Sequence, residues 1–175
     1  MSTQAMKPLA LHSSHLNATR NYLPEPGRLS SIEALNSILI QVIEVAMSAR
    51  HAHWNVRGAH FVARHEHFKN VADGLGPQND TIAKRISALG GIARGTVQIV
   101  ASPRTSKPYP LHSFSDHDHL DAVACHLGLL ASEARLSIGE CQEHGDPETV
   151  QILIEASIAT EKLLWLVESH TEGPH

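Results

Sequence analysis

The chain has 175 residues, of which 42% are hydrophobic and only 4% aromatic, and its formal net charge is −4. This length suits one domain, and the scarcity of aromatic residues predicts a core of aliphatic side chains. No apolar run approaches the ~20 residues of a membrane-spanning helix, and residues 1–29 lack the apolar stretch of a signal peptide. The composition therefore predicts a soluble, cytoplasmic protein with no membrane partner.

The beginning of the chain predicts an arm followed by a long helix. Residues 1–29 contain three prolines and no apolar periodicity, so we expect a flexible N-terminal arm. The first helix is predicted to start at Ser30, because Ser30-x-x-Glu33 has the form of a capping box. Apolar residues then recur at helical spacing, and the helix is expected to reach about Arg57. Residues 30–172 are assigned to one helical domain.

Three further long helices are predicted. The second covers about 60–88, where Pro77 is expected to kink or break it, because proline lacks an N–H group. A connection over 92–115, with room for one short helix, leads to a third helix over about 117–143. The fourth helix begins at Asp146–Glu148 with a cap, a first-turn proline and a first-turn acid. Two short loops and one long crossover predict an all-α four-helix bundle of the ferritin-like kind.

The strongest candidate for a metal-binding stretch is residues 51–67, HAHWNVRGAHFVARHEH, which contains five histidines. Residues two apart on a helix point ~200° apart, so His51 and His53 cannot share one ion, and neither can His65 and His67. A metal site would therefore need one histidine from each cluster. A single histidine on a helix is more often a surface residue or a hydrogen-bonded core residue than a ligand.

Five segments of the chain together resemble the signature of the Dps mini-ferritins. The matching residues are His53-Trp54-Asn55-Val56-Arg57-Gly58 with Phe61 and His65-Glu66; Asp80-x-x-Ala83-x-Arg85-x-x-Ala88-Leu89-Gly90-Gly91; and Tyr109-Pro110, His119-Leu120 and Leu164-Trp165-x-x-Glu168-Ser169. The resemblance covers about residues 31–170.

This resemblance implies a homo-oligomeric shell of twelve copies. Members of the family take up Fe(II), oxidise it with hydrogen peroxide and store ferric mineral, and many also bind DNA and shield it during stress. Their di-iron ferroxidase site lies at a two-fold interface. One subunit contributes two histidines and an acid, and the other contributes an Asp and a Glu. Iron is thus the implied metal, with zinc or another divalent metal as an alternative.

The match at the di-iron site is only partial. His53 and His65 stand at the histidine positions, and Asp80 stands at the position of the partner subunit's Asp. Lys69 and Lys84 replace the other two acids. An ammonium group has an unperturbed pKa of ~10.4 and does not bind a metal while protonated. We therefore expect a degraded site in which Lys69 or Lys84 lies near Asp80.

Several alternatives remain open at this stage. The site could be rebuilt with additional histidines, and the neighbouring Trp54 could serve either the iron site or interface packing. The chain is predicted to be an iron-storing shell with impaired ferroxidase activity. The alternative is a non-catalytic shell of the same fold that coats DNA or binds a partner. DNA binding is expected to be weak, because residues 1–29 carry only three basic side chains against one acidic side chain.

A second candidate region lies where the third and fourth helices meet. By the resemblance, the start of the fourth helix lines a three-fold pore that admits cations, with Asp146 and Glu148 as its acids. The alternative is that both acids serve the helix start, where acids are favoured in any helix. Gln151 stands where another pore acid is usual.

Overall fold

The computed structural model describes residues 16–102 and 108–171, and in these residues the chain is helical without any strand. Residues 1–15, which make up half of the predicted arm, lie outside this description. The helices are α1 (Glu25–Asn55), α2 (Phe61–Ala88), α3 (Val97–Val100), α4 (Asp116–Glu143) and α5 (Pro147–Glu168). The predicted all-α fold is therefore confirmed, with the short α3 inside the crossover.

The four long helices pack as two hairpins. α1 lies against α2, α4 lies against α5, and the two pairs meet through α1 with α4 and α2 with α5. The short connections 56–60 and 144–146 make each pair antiparallel, whereas the connection from α2 to α4 spans the bundle. This connectivity is that of a ferritin-like bundle.

The core is aliphatic, as the composition predicts. Its largest fully buried side chains include the aromatic Phe68, the imidazole of His119 and a set of leucines and isoleucines: Leu35, Ile38, Leu75, Ile82, Ile86, Leu89, Leu120, Leu127, Leu130 and Leu153. Complete burial of one such aliphatic side chain contributes about 1.5–3 kcal/mol.

α1 is long and apolar enough to cross a membrane by length and composition, but 61% of its most apolar window is buried inside the bundle.

The start of α1 differs from the sequence prediction. The helix begins at Glu25 rather than Ser30, with Pro26 in its first turn, where the fixed φ of proline suits a helix start. Glu33 does not form a capping box. Its carboxylate instead receives two hydrogen bonds from the Arg94 guanidinium, at 2.6 and 2.9 Å.

Of the predicted arm, residues 25–29 belong to α1, and residues 16–24 are hydrogen-bonded to the end of α2 and to the start of α5. The amide of Asn17 donates to the carbonyl of Gly90 over 2.8 Å, and Tyr22 donates to a Glu148 carboxylate oxygen over 2.8 Å. Gly90 has φ +90°, and a Cβ atom there would lie 2.6 Å from the Asn17 carbonyl oxygen. The glycine after Leu89 is thus required both by the helix end and by the close approach of the N-terminal segment.

α2 continues through Pro77 without interruption, so of the predicted kink or break the break is wrong and the kink stays a prediction. Proline inside a helix costs ~3 kcal/mol. Leu75 and Ile82, on either side of Pro77, are both fully buried. Packing of these side chains against the bundle holds α2 helical across a residue that would interrupt an isolated helix.

The start of α5 contains a buried ion pair between α2 and α5. The Asp146 carboxylate caps the helix by accepting from the Thr149 amide at 3.1 Å, as the sequence predicts. The same oxygen accepts from Arg85 at 2.6 Å, and the Asp146 side chain is completely buried. Burial opposes ionisation, but the Thr149 hydrogen bond and the Arg85 charge outweigh it and hold the pKa of Asp146 below its usual value.

We expect Asp146→Asn to destabilise the protein by about 3 kcal/mol at neutral pH, because it leaves the Arg85 charge without its buried partner. A carboxyl group whose pKa is lowered on folding contributes stability above its unfolded pKa and loses it as the pH falls through the folded value. The difference from wild type should therefore shrink below about pH 4. Urea denaturation at matched protein concentrations measures both effects. The control is Glu148→Gln, at a half-exposed neighbour of Arg85, which should cost less than ~1 kcal/mol.

Candidate metal centre

His53 and His65 form a stacked pair where the last turn of α1 lies beside the first turns of α2. Their ring centroids are 3.8 Å apart, with planes inclined by 30°. Nδ1 of His53 lies 2.8 Å from the His65 carbonyl oxygen, and Nδ1 of His65 lies 2.8 Å from the His53 carbonyl oxygen. The two residues are thus held by a reciprocal pair of hydrogen bonds to the backbone.

This reciprocal bonding fixes the tautomer of both rings. A carbonyl oxygen only accepts, so each Nδ1 donates, and in the neutral form of the ring Nε2 is the nitrogen with a free lone pair. Metal-binding histidines commonly donate their second N–H to a carbonyl or carboxylate, which orients the ring and raises its basicity. Each ring of the pair makes such a hydrogen bond, and its Nε2 atom is the candidate metal ligand.

One aromatic side chain contacts the pair, and a second follows it in sequence. The Phe61 ring lies 5.1 Å from the His65 ring, on α2. Trp54, the residue after His53, is 63% exposed and lines an apolar groove formed by α1, α3 and residues 109–111. The structure thus places Trp54 on an exposed apolar surface, which suits interface packing, and its role at an iron site stays a prediction.

Lys69 points to a carboxylate other than the one the sequence suggested. Its ammonium group donates to Asp73 at 2.8 Å, and Arg50 donates to the second oxygen of Asp73 at 3.0 Å. The Asp73 hydrogen bond raises the pKa of Lys69 above its ordinary value. A protonated amine has no lone pair for a metal, so Lys69 cannot replace the acid that the family has at this position.

Asp80 forms the expected contact with Lys84, whose ammonium lies 3.1 Å from its carboxylate. Both side chains are 78% exposed on the outer face of α2. Asp80 lies fifteen residues after His65, which is ~22 Å along a helix at 1.5 Å per residue. It therefore cannot join the histidine pair within one chain, and only the Asp80 of another copy could do so.

The ligands available within one chain fit only half of a di-iron centre. Among the described residues, no group of three or more His, Cys, Asp or Glu side chains is placed to hold a metal ion. The histidine pair supplies two oriented imidazoles. A carboxylate-rich iron site also needs acids, and positions 69 and 84 provide ammonium groups in their place.

The other three histidines of the stretch face elsewhere, as their two-residue spacing predicts. The His51 ring meets Tyr109 edge-on at 5.2 Å, and His60 lies exposed at the start of α2. The His67 ring lies 4.2 Å from His170. Burial, followed by the charges of His170 and Arg64, lowers the pKa of His67 to about 4, so this ring is neutral at physiological pH.

The two pore candidates have different surroundings. The Asp146 carboxylate is buried and bound to Arg85, which leaves it without access to solvent in this chain. The Glu148 side chain is half-exposed, accepts from Tyr22 and lies 3.7 Å from Arg85. Gln151, where the family usually has an acid, donates to Glu155. Of the two pore candidates, Glu148 has the accessible carboxylate, and a pore at this place stays a prediction.

Comparison with known proteins identifies the family. A family model described as a ferritin-like domain matches residues 32–173. The DNA protection during starvation protein of Agrobacterium fabrum is 39% identical over 154 residues, covering 88% of this chain and 95% of that protein. The chain belongs to the Dps family of mini-ferritins.

Solved Dps structures have the same fold. DpsA14 from Streptomyces coelicolor is 28% identical, covers 89% of this chain and 92% of its own, and superposes with a TM-score of 0.82. DpsC from the same organism superposes with a TM-score of 0.88 over 95% of this chain and 98% of its own, at 24% identity, which supports the fold alone. The bundle is therefore that of a Dps mini-ferritin along nearly its whole length.

Sequence reasoning missed two contacts in this mini-ferritin. Arg85 and His119 were noted only as matches to the family signature, yet Arg85 holds Asp146, and His119 is bound to Tyr109 in the core. Each contact joins segments that are distant or separated by an irregular connection. No periodicity or spacing in one sequence reports such a pairing.

Proposed function

We propose that this mini-ferritin is a cytoplasmic shell of twelve copies that binds, slowly oxidises and stores iron and protects the cell from oxidative damage during stress. One observation carries the proposal. His53 and His65 each place Nδ1 against a backbone carbonyl, as metal-bound histidines commonly do, whereas the two positions that the resemblance assigns to acids carry Lys69 and Lys84. Iron binding is thus retained in part, and ferroxidase activity is reduced.

Fe(II) is the substrate of this site. Its proposed ligands are the Nε2 atoms of His53 and His65 and the Asp80 carboxylate of a neighbouring copy. Lys84 already neutralises that carboxylate within its own chain. A second cation at Lys69 stands one helical turn after His65 and repels a divalent ion. Imidazole also suits zinc and copper, so these metals are the alternative occupants.

The second candidate function is a non-catalytic shell of the same fold that coats DNA. The two lysines on the outer face of α2 favour it, because they remove acids from the iron site. The relative from Agrobacterium fabrum is named for DNA protection. Lys69 and Lys84 are each paired with an aspartate, however, so α2 offers little uncompensated positive charge to phosphates.

Assembly into a shell is supported by exposed apolar side chains around the groove of α1, α3 and residues 109–111. These side chains are Met47, Trp54, Val97 and Leu111, each more than half exposed. An apolar patch of this kind on one chain is typical of a surface that another chain covers.

We expect the purified protein to form a stable assembly of twelve copies at physiological salt, measured by light scattering with sedimentation. The variant Trp54→Glu should weaken it, because a charge would be placed in the apolar groove. Glu168→Gln, at an exposed position at the end of α5, is the control and should assemble as the wild type does. A stable wild-type monomer or dimer would refute the shell.

Restoring the acids through Lys69→Asp and Lys84→Glu should raise both Fe(II) affinity and the oxidation rate. Removing two cations and adding two carboxylates needs to contribute only ~1.4 kcal/mol for a tenfold gain in affinity. Anaerobic titration calorimetry measures Fe(II) binding, and ferric absorbance after peroxide addition measures oxidation. The matched control is Lys162→Glu, an exposed lysine on α5, which should change neither. Oxidation by the wild type at the rate of the double variant would show that the lysines do not impair the site.

DNA binding should be weak and should disappear above about 0.15 M salt, because few phosphates are neutralised per chain and counterions compete for them. A gel-shift series from low to high salt, with the protein at constant concentration, measures this. A complex that persists well above physiological salt would contradict the prediction and favour the DNA-coating shell.

A further inference from the structure

The metal centre leaves one polar cluster in the core without a role. Tyr109, from the crossover, lies among the rings of His51 on α1 and of His119 and His126 on α4. The shortest contact in the cluster joins the Tyr109 hydroxyl oxygen to Nδ1 of His119, over 2.7 Å. The His119 side chain is completely buried. A short phenol–imidazole hydrogen bond inside an aliphatic core requires a physical explanation.

Both partners of this hydrogen bond are neutral in the resting protein. Burial lowers the pKa of His119, and the nearby His51 adds to this effect. Burial also raises the pKa of Tyr109 well above its ordinary value. A phenol is the stronger donor and an imidazole nitrogen the stronger acceptor, so the Tyr109 hydroxyl donates its proton towards Nδ1.

Tyr109 lies at the edge of the core. It lines the same apolar groove as His51 and Trp54, and Trp54 follows the candidate ligand His53 directly in sequence. In the proposed shell another copy covers this groove, so the oxidant takes its electron from the phenol by electron transfer through intervening side chains, without entering the groove. His119 lies behind the phenol, away from solvent.

We infer that Tyr109 and His119 form a proton-coupled redox pair that accepts one-electron oxidising equivalents within the shell subunit. The oxidant is of the hydroxyl-radical class, which arises when Fe(II) meets peroxide. Tyr109 loses one electron to the oxidant, which becomes hydroxide, and the phenolic proton moves to Nδ1 of His119. The products are a neutral phenoxyl radical and an imidazolium ion.

The same hydrogen bond makes the step reversible. The proton stays on His119, 2.7 Å from the oxygen that released it, and the surrounding core keeps it from bulk water. An electron from a one-electron reductant, Fe(II) among them, allows the proton to return to the phenolate oxygen. The pair would thus consume an oxidising equivalent without permanent damage to the chain. His119 acts as a positioning residue and proton acceptor, and Tyr109 is the residue oxidised.

The experiment uses the full chain in its native assembly and an oxidant that does not depend on the metal centre. Photogenerated tris(bipyridine)ruthenium(III) is the probe, and freeze-quenched electron paramagnetic resonance is the readout. The chain contains only two tyrosines, Tyr22 and Tyr109. We expect a tyrosyl signal in the wild type and in Tyr22→Phe, and its loss in Tyr109→Phe. Because no iron is added, this result is independent of whether the di-iron site works.

A second variant separates proton acceptance from packing. His119→Asn retains a hydrogen-bonding group near Nδ1 but supplies no base, so the radical should form in lower yield and decay faster while Tyr109 remains in place. Circular dichroism and sedimentation of each variant verify the fold and the assembly. An undiminished tyrosyl signal in Tyr109→Phe, or a wild-type yield and lifetime in His119→Asn, would overturn the proposal.

Discussion

The burial of α1 is the constraint on which the rest of the structure depends. α1 contacts all four of the other helices, most extensively α2 and α4, and its side chains at Leu35, Ile38 and Val42 are fully buried. A shift of α1 along its neighbours would expose these side chains at a cost of about 1.5–3 kcal/mol each. The position of α1 relative to α2 that this burial imposes places His53 beside His65. Their hydrogen bonds to the backbone depend on that position. The orientation of the candidate ligands is thus a consequence of core packing.

The two faces of α2 are under different constraints. Its inner face contributes Phe68, Leu75 and Ile82 to the core, where a change of volume or polarity would be costly. Its outer face carries ion pairs between residues four apart, and exposed pairs of this kind contribute little to stability. Lysines at positions 69 and 84, where the resemblance implies acids, are therefore compatible with the fold. The histidines, which are bound to the backbone, stay in place.

Buried polar groups hold the crossover and the helix starts onto this apolar frame. The buried Asn36 on α1 donates to the Ile92 carbonyl and accepts from the Arg94 amide, which ties the beginning of the crossover to the bundle. Tyr109 and His119 do the same at its other end, and Arg85 joins α2 to Asp146. A buried polar group without a partner costs ~1–3 kcal/mol, so these contacts favour one arrangement of the crossover over others.

The sequence by itself determined the four long helices, the hairpin connections, the aliphatic core and the start of α5 at Asp146, because these depend on local periodicity, capping and turn residues. Two-residue spacing also excluded any pairing within one histidine cluster, and the resemblance to the family signature then singled out His53 and His65. The tertiary structure decided the rest. In the structure, α1 begins at Glu25 and α2 continues through Pro77. Lys69 pairs with Asp73, and Asp146 is buried against Arg85. Each of these outcomes depends on side chains that meet only when distant segments pack together, and one-dimensional spacing contains no information about that packing.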